Sequence, residues 1–270
     1  MKECVAALCQ NRITNDKNET VRDALDQVRK AAADGAKLVA LPEMFVCPYT
    51  NRSMRESREP FLGPTAEALS ASAAQNGIYL IGGSFPEETP EGLYNTCMVF
   101  DPAGNHIGTH RKAHLFDMDV PGKITYRESD TFLPGNSACI VDTAIGKIGV
   151  GICYDIRFPE YFRKLALAGC EILVLPASFG RATGEAHWIL SLRMRAVDNQ
   201  CYMLGVSPAP NPELPYQAYG HTAISDPWGT LLGELDTMPG TLFGKLDPER
   251  LRSLRDEFPL LKSRRPELYI

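Results

Sequence analysis

The 270-residue sequence lacks a long apolar run, an excess of basic residues and any Cys-x-x-Cys pair. No stretch approaches the ~20 consecutive apolar residues needed to cross a bilayer. The opening MKECVAALCQNR has too short an apolar run for a secretory leader and no small-residue cleavage pattern, so the expected location is the cytoplasm. A formal net charge of -5 leaves no electrostatic case for nucleic acid. The eight cysteines, at 4, 9, 47, 97, 139, 153, 170 and 201, stand mostly in or beside apolar strand-like runs. That placement supports neither a zinc site nor a thioredoxin-type motif, and reduced thiols are the better reading.

What is present is an alternation of strand and helix patterns in a chain long enough for one large α/β domain. CVAALCQ (4–10) reads as a buried strand, and Asn18 as the cap of a helix with Val21, Leu25, Val28 and Ala32 at helical spacing before Gly35. LVALPE (38–43) is the next strand. The order then repeats: KIGVGIC (147–153), a helix opened by Pro159 with Leu165 and Ala168 on one face and Gly169 at its end, and EILVLPA (171–177). GAKLVALPE and GCEILVLPA resemble each other almost position by position. Further strands are read at IYLIGGSF, YNTCMVF, CYMLGVSP, HTAISDP and TLFGKLD, with DPAGN and DPWGT as turns between paired strands. Two such halves can bury their sheets against each other. The expected fold is therefore an α/β, four-layer α-β-β-α sandwich with internal pseudo-two-fold symmetry; a doubly wound single sheet explains the repeat less naturally. The expected domain spans 1–258. Residues 259–270 are read either as a surface tail or as a segment packing on a second subunit.

Chemistry concentrates in a few places. In GVGICYDIRFPE (149–160) a strand ends on Cys153 and passes directly into a helix start, where a thiolate is favoured. Glu43 ends LVALPE, and Lys112 lies in THRKAHLFDMD after a strand continuing the hairpin from YNTCMVF. Taken singly, Cys153 is a core thiol, Lys112 a solvated lysine and Glu43 a surface carboxylate. Taken together, LPEMF, HRKAHLF and GICYDIRFPE, in that order, resemble the nitrilase, or carbon-nitrogen hydrolase, superfamily over essentially the whole chain. The runs PGKITYRESDTFLPG, TGEAHW, RAVDNQ and YGHTAISDPWG look most like its omega-amidase branch.

The resemblance implies the four-layer sandwich, a homodimer or higher homo-oligomer, no metal and no organic cofactor. It also implies a catalytic Glu43, Lys112 and Cys153, with Glu128 of ITYRESD supporting the lysine. The activity implied is hydrolysis of the terminal amide of a short dicarboxylate monoamide through a cysteine thioester. The Tyr154 backbone N–H then joins Lys112 in holding the oxyanion. Such a substrate needs a partner for its far carboxylate. Arg157 is one candidate, its alternative being an ion pair with Asp155 or Glu160; Tyr49, Arg181, Thr183 and Lys123 are others. His187 and Trp188, read as opening a helix, are taken as structural. FGRATGEAHW departs from the branch, which tends to carry Asn-Leu-Thr in place of Arg181-Ala182. Rival readings are a deaminated-glutathione amidase, an N-carbamoyl hydrolase, or a silent binding protein.

Overall fold

The computed structural model describes residues 1–120 and 124–269, so Lys123 lies outside the described residues. Strand Cys4–Gln10 shows how the layers arise from the pleat. Ala6 and Leu8 point into a core shared with the second sheet, while Ala7 and Cys9 point to a core under helices Lys17–Ala33 and Pro64–Asn76. Strand Leu38–Ala40 divides likewise, with Leu38 and Ala40 facing the shared core and Val39 facing the helices.

The first sheet has eight strands. Its centre, Cys4–Gln10, Leu38–Ala40 and Tyr79–Ile81, is parallel, and antiparallel strands flank it. The second sheet has six, with Gly146–Val150, Ile172–Pro176 and Tyr202–Val206 forming the corresponding parallel centre. Helices Pro159–Leu167 and Arg181–Asn199 cover its outer face. The expected sandwich is thus the observed one. Strand Gly240–Leu246 crosses from the second half to close the edge of the first sheet, pairing from Cys4↔Leu246 to Gln10↔Gly240.

The repeat extends to individual hydrogen bonds. Gly35 (φ 99°) and Gly169 (φ 93°) end their helices in the left-handed region, which favours glycine. Ala36 N–H donates to Ala31 at 3.1 Å, and Cys170 N–H donates to Leu165 at the same distance. The turns match as well. Asp101 Oδ1 accepts from Ala103 and Asn105 N–H, and Asp226 Oδ1 accepts from Trp228 and Thr230 N–H.

Two expected boundaries differ. The cap of the first helix is Asp16, whose side chain accepts from the N–H groups of Asn18 and Glu19, so Asn18 lies inside the first turn. The helix carrying His187 and Trp188 begins at Arg181, directly after Gly180. Beyond helix Pro248–Glu257, Leu261 packs on the shared core while Leu268 and Tyr269 stand in solvent. No helix among the described residues is long and apolar enough to cross a membrane.

Candidate active site

Glu43, Lys112, Glu128 and Cys153 come from four separate segments, and the two halves of the fold bring them together. Glu43 follows strand Leu38–Ala40 in a loop held by two contacts. Met44 N–H donates to Ser84 Oγ at 3.1 Å, and Gly83 (φ 62°) lies so close that a Cβ there would sit 2.4 Å from the Pro42 carbonyl. Lys112 follows strand His106–Arg111, and its N–H donates to the Asn95 carbonyl at 2.8 Å. Glu128 opens the short 3-10 turn Glu128–Asp130 beyond the hairpin Asp117–Val120 and Ile124–Arg127. Cys153 opens the 3-10 turn Cys153–Arg157 with φ 43°, a conformation that costs a non-glycine residue ~1–3 kcal/mol.

The lysine is the hub. Its Nζ donates to Glu43 Oε1 at 2.8 Å and to Glu128 Oε2 at 2.7 Å, with all three side chains wholly buried. Asn95 Nδ2 bridges the same carboxylates at 2.9 and 3.1 Å, Tyr49 O–H reaches Glu43 Oε1 at 3.4 Å, and Phe116 N–H donates to Glu128 Oε2 at 2.7 Å. Burial would push Lys112 down, but Glu128 and Glu43 outweigh it and hold the ammonium well above its ordinary range. Burial and Glu128 push Glu43 up, against the pull of Lys112. Burial and the neighbouring Glu43 charge drive the Cys153 thiol well up. Among the described residues, Glu43 Oε1 is saturated while Oε2 has no hydrogen-bond partner. That free oxygen is open to accept a proton, on a carboxylate whose charge raises the Cys153 thiol.

Asp155 fixes the turn. Its Oδ2 accepts from Ile152 N–H at 2.9 Å and from His110 Nε2 at 2.8 Å; its Oδ1 accepts from His114 N–H at 3.0 Å and His114 Nδ1 at 2.7 Å. With four donors the carboxylate is full, which explains why Arg157 does not pair with it. Arg157 instead contacts His187 Nδ1 at 3.3 Å and lies 5.3 Å from the Phe179 ring centroid.

A profile described as carbon-nitrogen hydrolase matches residues 5–256. The chain belongs to the carbon-nitrogen hydrolase family. It is similar to proteins named omega-amidase NIT2 from Mus musculus, at 45% identity, and Homo sapiens, at 44%; both matches span 97% of this chain and 95% of the relative. The crystal structure of Saccharomyces cerevisiae Nit3, a member of branch 10 of the nitrilase superfamily, superposes with a TM-score of 0.90 at 37% identity, covering 98% of this chain and 97% of that one.

In this carbon-nitrogen hydrolase a narrow pocket leads to Cys153. Tyr49, Tyr154, Arg157 and Thr183 line it, and Phe116, Ser178, Phe179, Gly180 and Tyr216 complete it. Tyr154 N–H is among the first donors of its turn, which have no acceptor within the turn. Arg181 is the exception. Its side chain is 82% exposed and pairs with Glu185 one helical turn on at 2.9 Å, outside the lining, because the helix start directs it to solvent. Sequence reasoning missed Asn95 and Tyr216. Asn95 carried a usable signal, since a polar residue inside the apolar run YNTCMVF has to find buried partners.

Proposed function

We propose that this carbon-nitrogen hydrolase is a thiol amidohydrolase of the omega-amidase type, cleaving the terminal amide of a short dicarboxylate monoamide such as succinamate or alpha-ketoglutaramate. The observation that carries the reading is a narrow pocket lined by the Cys153 thiol and by one guanidinium, Arg157, with the Glu43 carboxylate near enough for its charge to raise the thiol. The omega-amidase relatives at 45% and 44% identity support the same substrate class.

Glu43 Oε2 takes the thiol proton as sulfur bonds to the amide carbon. With two carboxylates and one ammonium the site already carries a net negative charge, so a free thiolate is disfavoured and proton transfer accompanies attack. Lys112 and Tyr154 N–H receive the oxyanion, where a fixed charge in a dry site counts for more than in water. Glu43 returns the proton to the amide nitrogen, the C–N bond breaks and ammonia leaves a thioester. Water, deprotonated by Glu43, then bonds to the carbonyl carbon, and sulfur departs and regains its proton. Glu128 and Asn95 hold Lys112 and Glu43 at a fixed separation throughout. Arg157 takes the far carboxylate, and its contact with His187 holds the planar fork in place.

The reading includes a cytoplasmic, dimeric enzyme. Solvent-exposed Leu167, Leu190 and Met194 on the helices covering the second sheet support the pairing. The test of function is ammonia release across succinamate, its methyl ester, an N-carbamoyl acid and a nitrile. The proposal expects succinamate to lead, and equal rates on acid and ester would remove Arg157 from its role.

A further inference from the structure

Beneath the nucleophile's turn lies a second buried charged cluster that the chemistry above does not use. His110 and Asp155 are both wholly buried, 2.8 Å apart. Tyr161 completes the group, its hydroxyl 2.6 Å from the Val150 carbonyl and 3.2 Å from His110 Nδ1. The hydrogens can be counted. A carbonyl only accepts, so the short contact to Val150 takes the single hydroxyl hydrogen of Tyr161. The contact with His110 is then made by Nδ1–H donating into the hydroxyl lone pair. On the other side of the ring, burial raises Asp155, but hydrogen bonds from His110 and His114 outweigh it and hold the carboxyl well below its usual range. An ionised carboxylate only accepts, so His110 Nε2 also donates.

We propose that His110 is a buried imidazolium and that its ion pair with Asp155 keeps the strand bearing Lys112 in register with the turn bearing Cys153. Both reacting groups are bracketed by this one carboxylate. His110 and His114 stand two residues to either side of Lys112, and both bind Asp155. Ile152 and Asp155 flank Cys153, and the Ile152 N–H closes onto the same carboxylate. The cluster thus ties a strand of the first sheet to a turn of the second half at the point where the two must agree. His110, Asp155 and His114 are not among the residues lining the pocket and take no part in the Glu43–Lys112–Glu128 hydrogen bonds, so they are positioning residues.

The inference rests on the Glu43, Lys112 and Cys153 reading only for its kinetic consequence. Its protonation state is tested without turnover. In a long-range 1H–15N spectrum of the unmodified protein at neutral pH, with His110 assigned by its absence from His110→Gln, both ring nitrogens should carry the signature of protonated nitrogen. An unprotonated Nδ1 overturns the imidazolium. For the register, Asp155→Asn keeps the shape but cannot accept on both oxygens. It should lower kcat for succinamate by ~10²-fold, the size of a loss from a misplacement of about 1 Å, with KM nearly unchanged. A folded Asp155→Asn protein with wild-type kcat, or with only KM raised, overturns the positioning role. Should that variant not fold, Tyr161→Phe, which removes the hydroxyl that accepts from His110 Nδ1 and donates to the Val150 carbonyl, gives the same reading: a smaller loss in kcat at constant KM supports the clamp, and an unchanged kcat overturns it.

Discussion

Replacing Lys112 by methionine keeps most of the side-chain volume and removes the one charge that two buried carboxylates share. In the native protein its Nζ lies 2.8 Å from Glu43 and 2.7 Å from Glu128, with no solvent on any of the three. Removing one partner of such a buried set leaves uncompensated charge, and the usual cost is ~3–5 kcal/mol of stability. The sign of the pH dependence follows from Glu43. Burial and Glu128 raise it, and Lys112 is the main pull downward, ahead of a lesser one from the Cys153 thiol, so in Lys112→Met it rises further. A carboxyl raised above its unfolded value binds its proton more tightly in the folded state, so its contribution favours folding at low pH and is lost as pH rises. The stability gap to wild type should therefore be small in acid and wide at neutral pH. Chemical denaturation at several pH values reads the gap. Adding Glu128→Gln should recover part of it, because one unpaired charge is then removed. Turnover should fall by at least ~10²–10³-fold, the loss typical of one oxyanion donor. A variant as stable as wild type at every pH would refute the reasoning that the lysine holds two ionised carboxylates.

Arg157→Met should cost about ten- to a hundredfold in kcat/KM on succinamate and little on its methyl ester, since hydrogen bonds to a charged group at a half-buried arginine are worth ~1.5–3 kcal/mol; competition assays with the two substrates read the ratio. Arg181→Ala, at a residue that stands in solvent with Glu185, should leave both rates within about twofold of wild type. Asp155 sits below its ordinary range because the His110 and His114 hydrogen bonds outweigh burial, so its stabilisation is present above the unfolded value of ~3.9 and is lost as pH falls through the depressed folded value. Acid titration of wild type against Asp155→Asn should show a shallower loss in the variant, and parallel curves would contradict this.

Much of this was legible because the chain repeats itself. GAKLVALPE and GCEILVLPA each place a glycine after a helix and a strand after the glycine, and both glycines end their helices through matching hydrogen bonds. Glu43, Lys112 and Cys153, the groups proposed to react, stood out because each sits where a strand pattern stops. What was not legible depends on contacts between segments far apart in the chain. Asn95 gains its role only when strand Gly92–Phe100 brings it between Glu43 and Glu128. Asp155 looked like a partner for Arg157, and the two histidines that fill its oxygens come from a strand and loop of the other half. Arg181 offers a cation for the far carboxylate and stands next in the chain to the pocket residue Gly180, but a helix turns by 100° per residue, and that rotation sends it outward. The caps differ for a similar reason, since Asp16 and Asn18 are both good cap residues and only the local backbone chooses between them.

The central claim is that Glu43 activates Cys153, and site-resolved alkylation tests it directly. All eight cysteines are free and buried, and burial drives the others up as well, Cys9 and Cys139 to about 12 and Cys47 to about 11. Of the eight, Cys153 alone lines the pocket and is raised by the Glu43 charge. A brief time course with iodoacetamide, mapped by peptide mass spectrometry, should modify Cys153 ahead of the other seven, in step with loss of ammonia release, and Glu43→Gln should slow that labelling sharply. Faster labelling of another cysteine, or an unchanged rate at Cys153 in Glu43→Gln, would contradict the account.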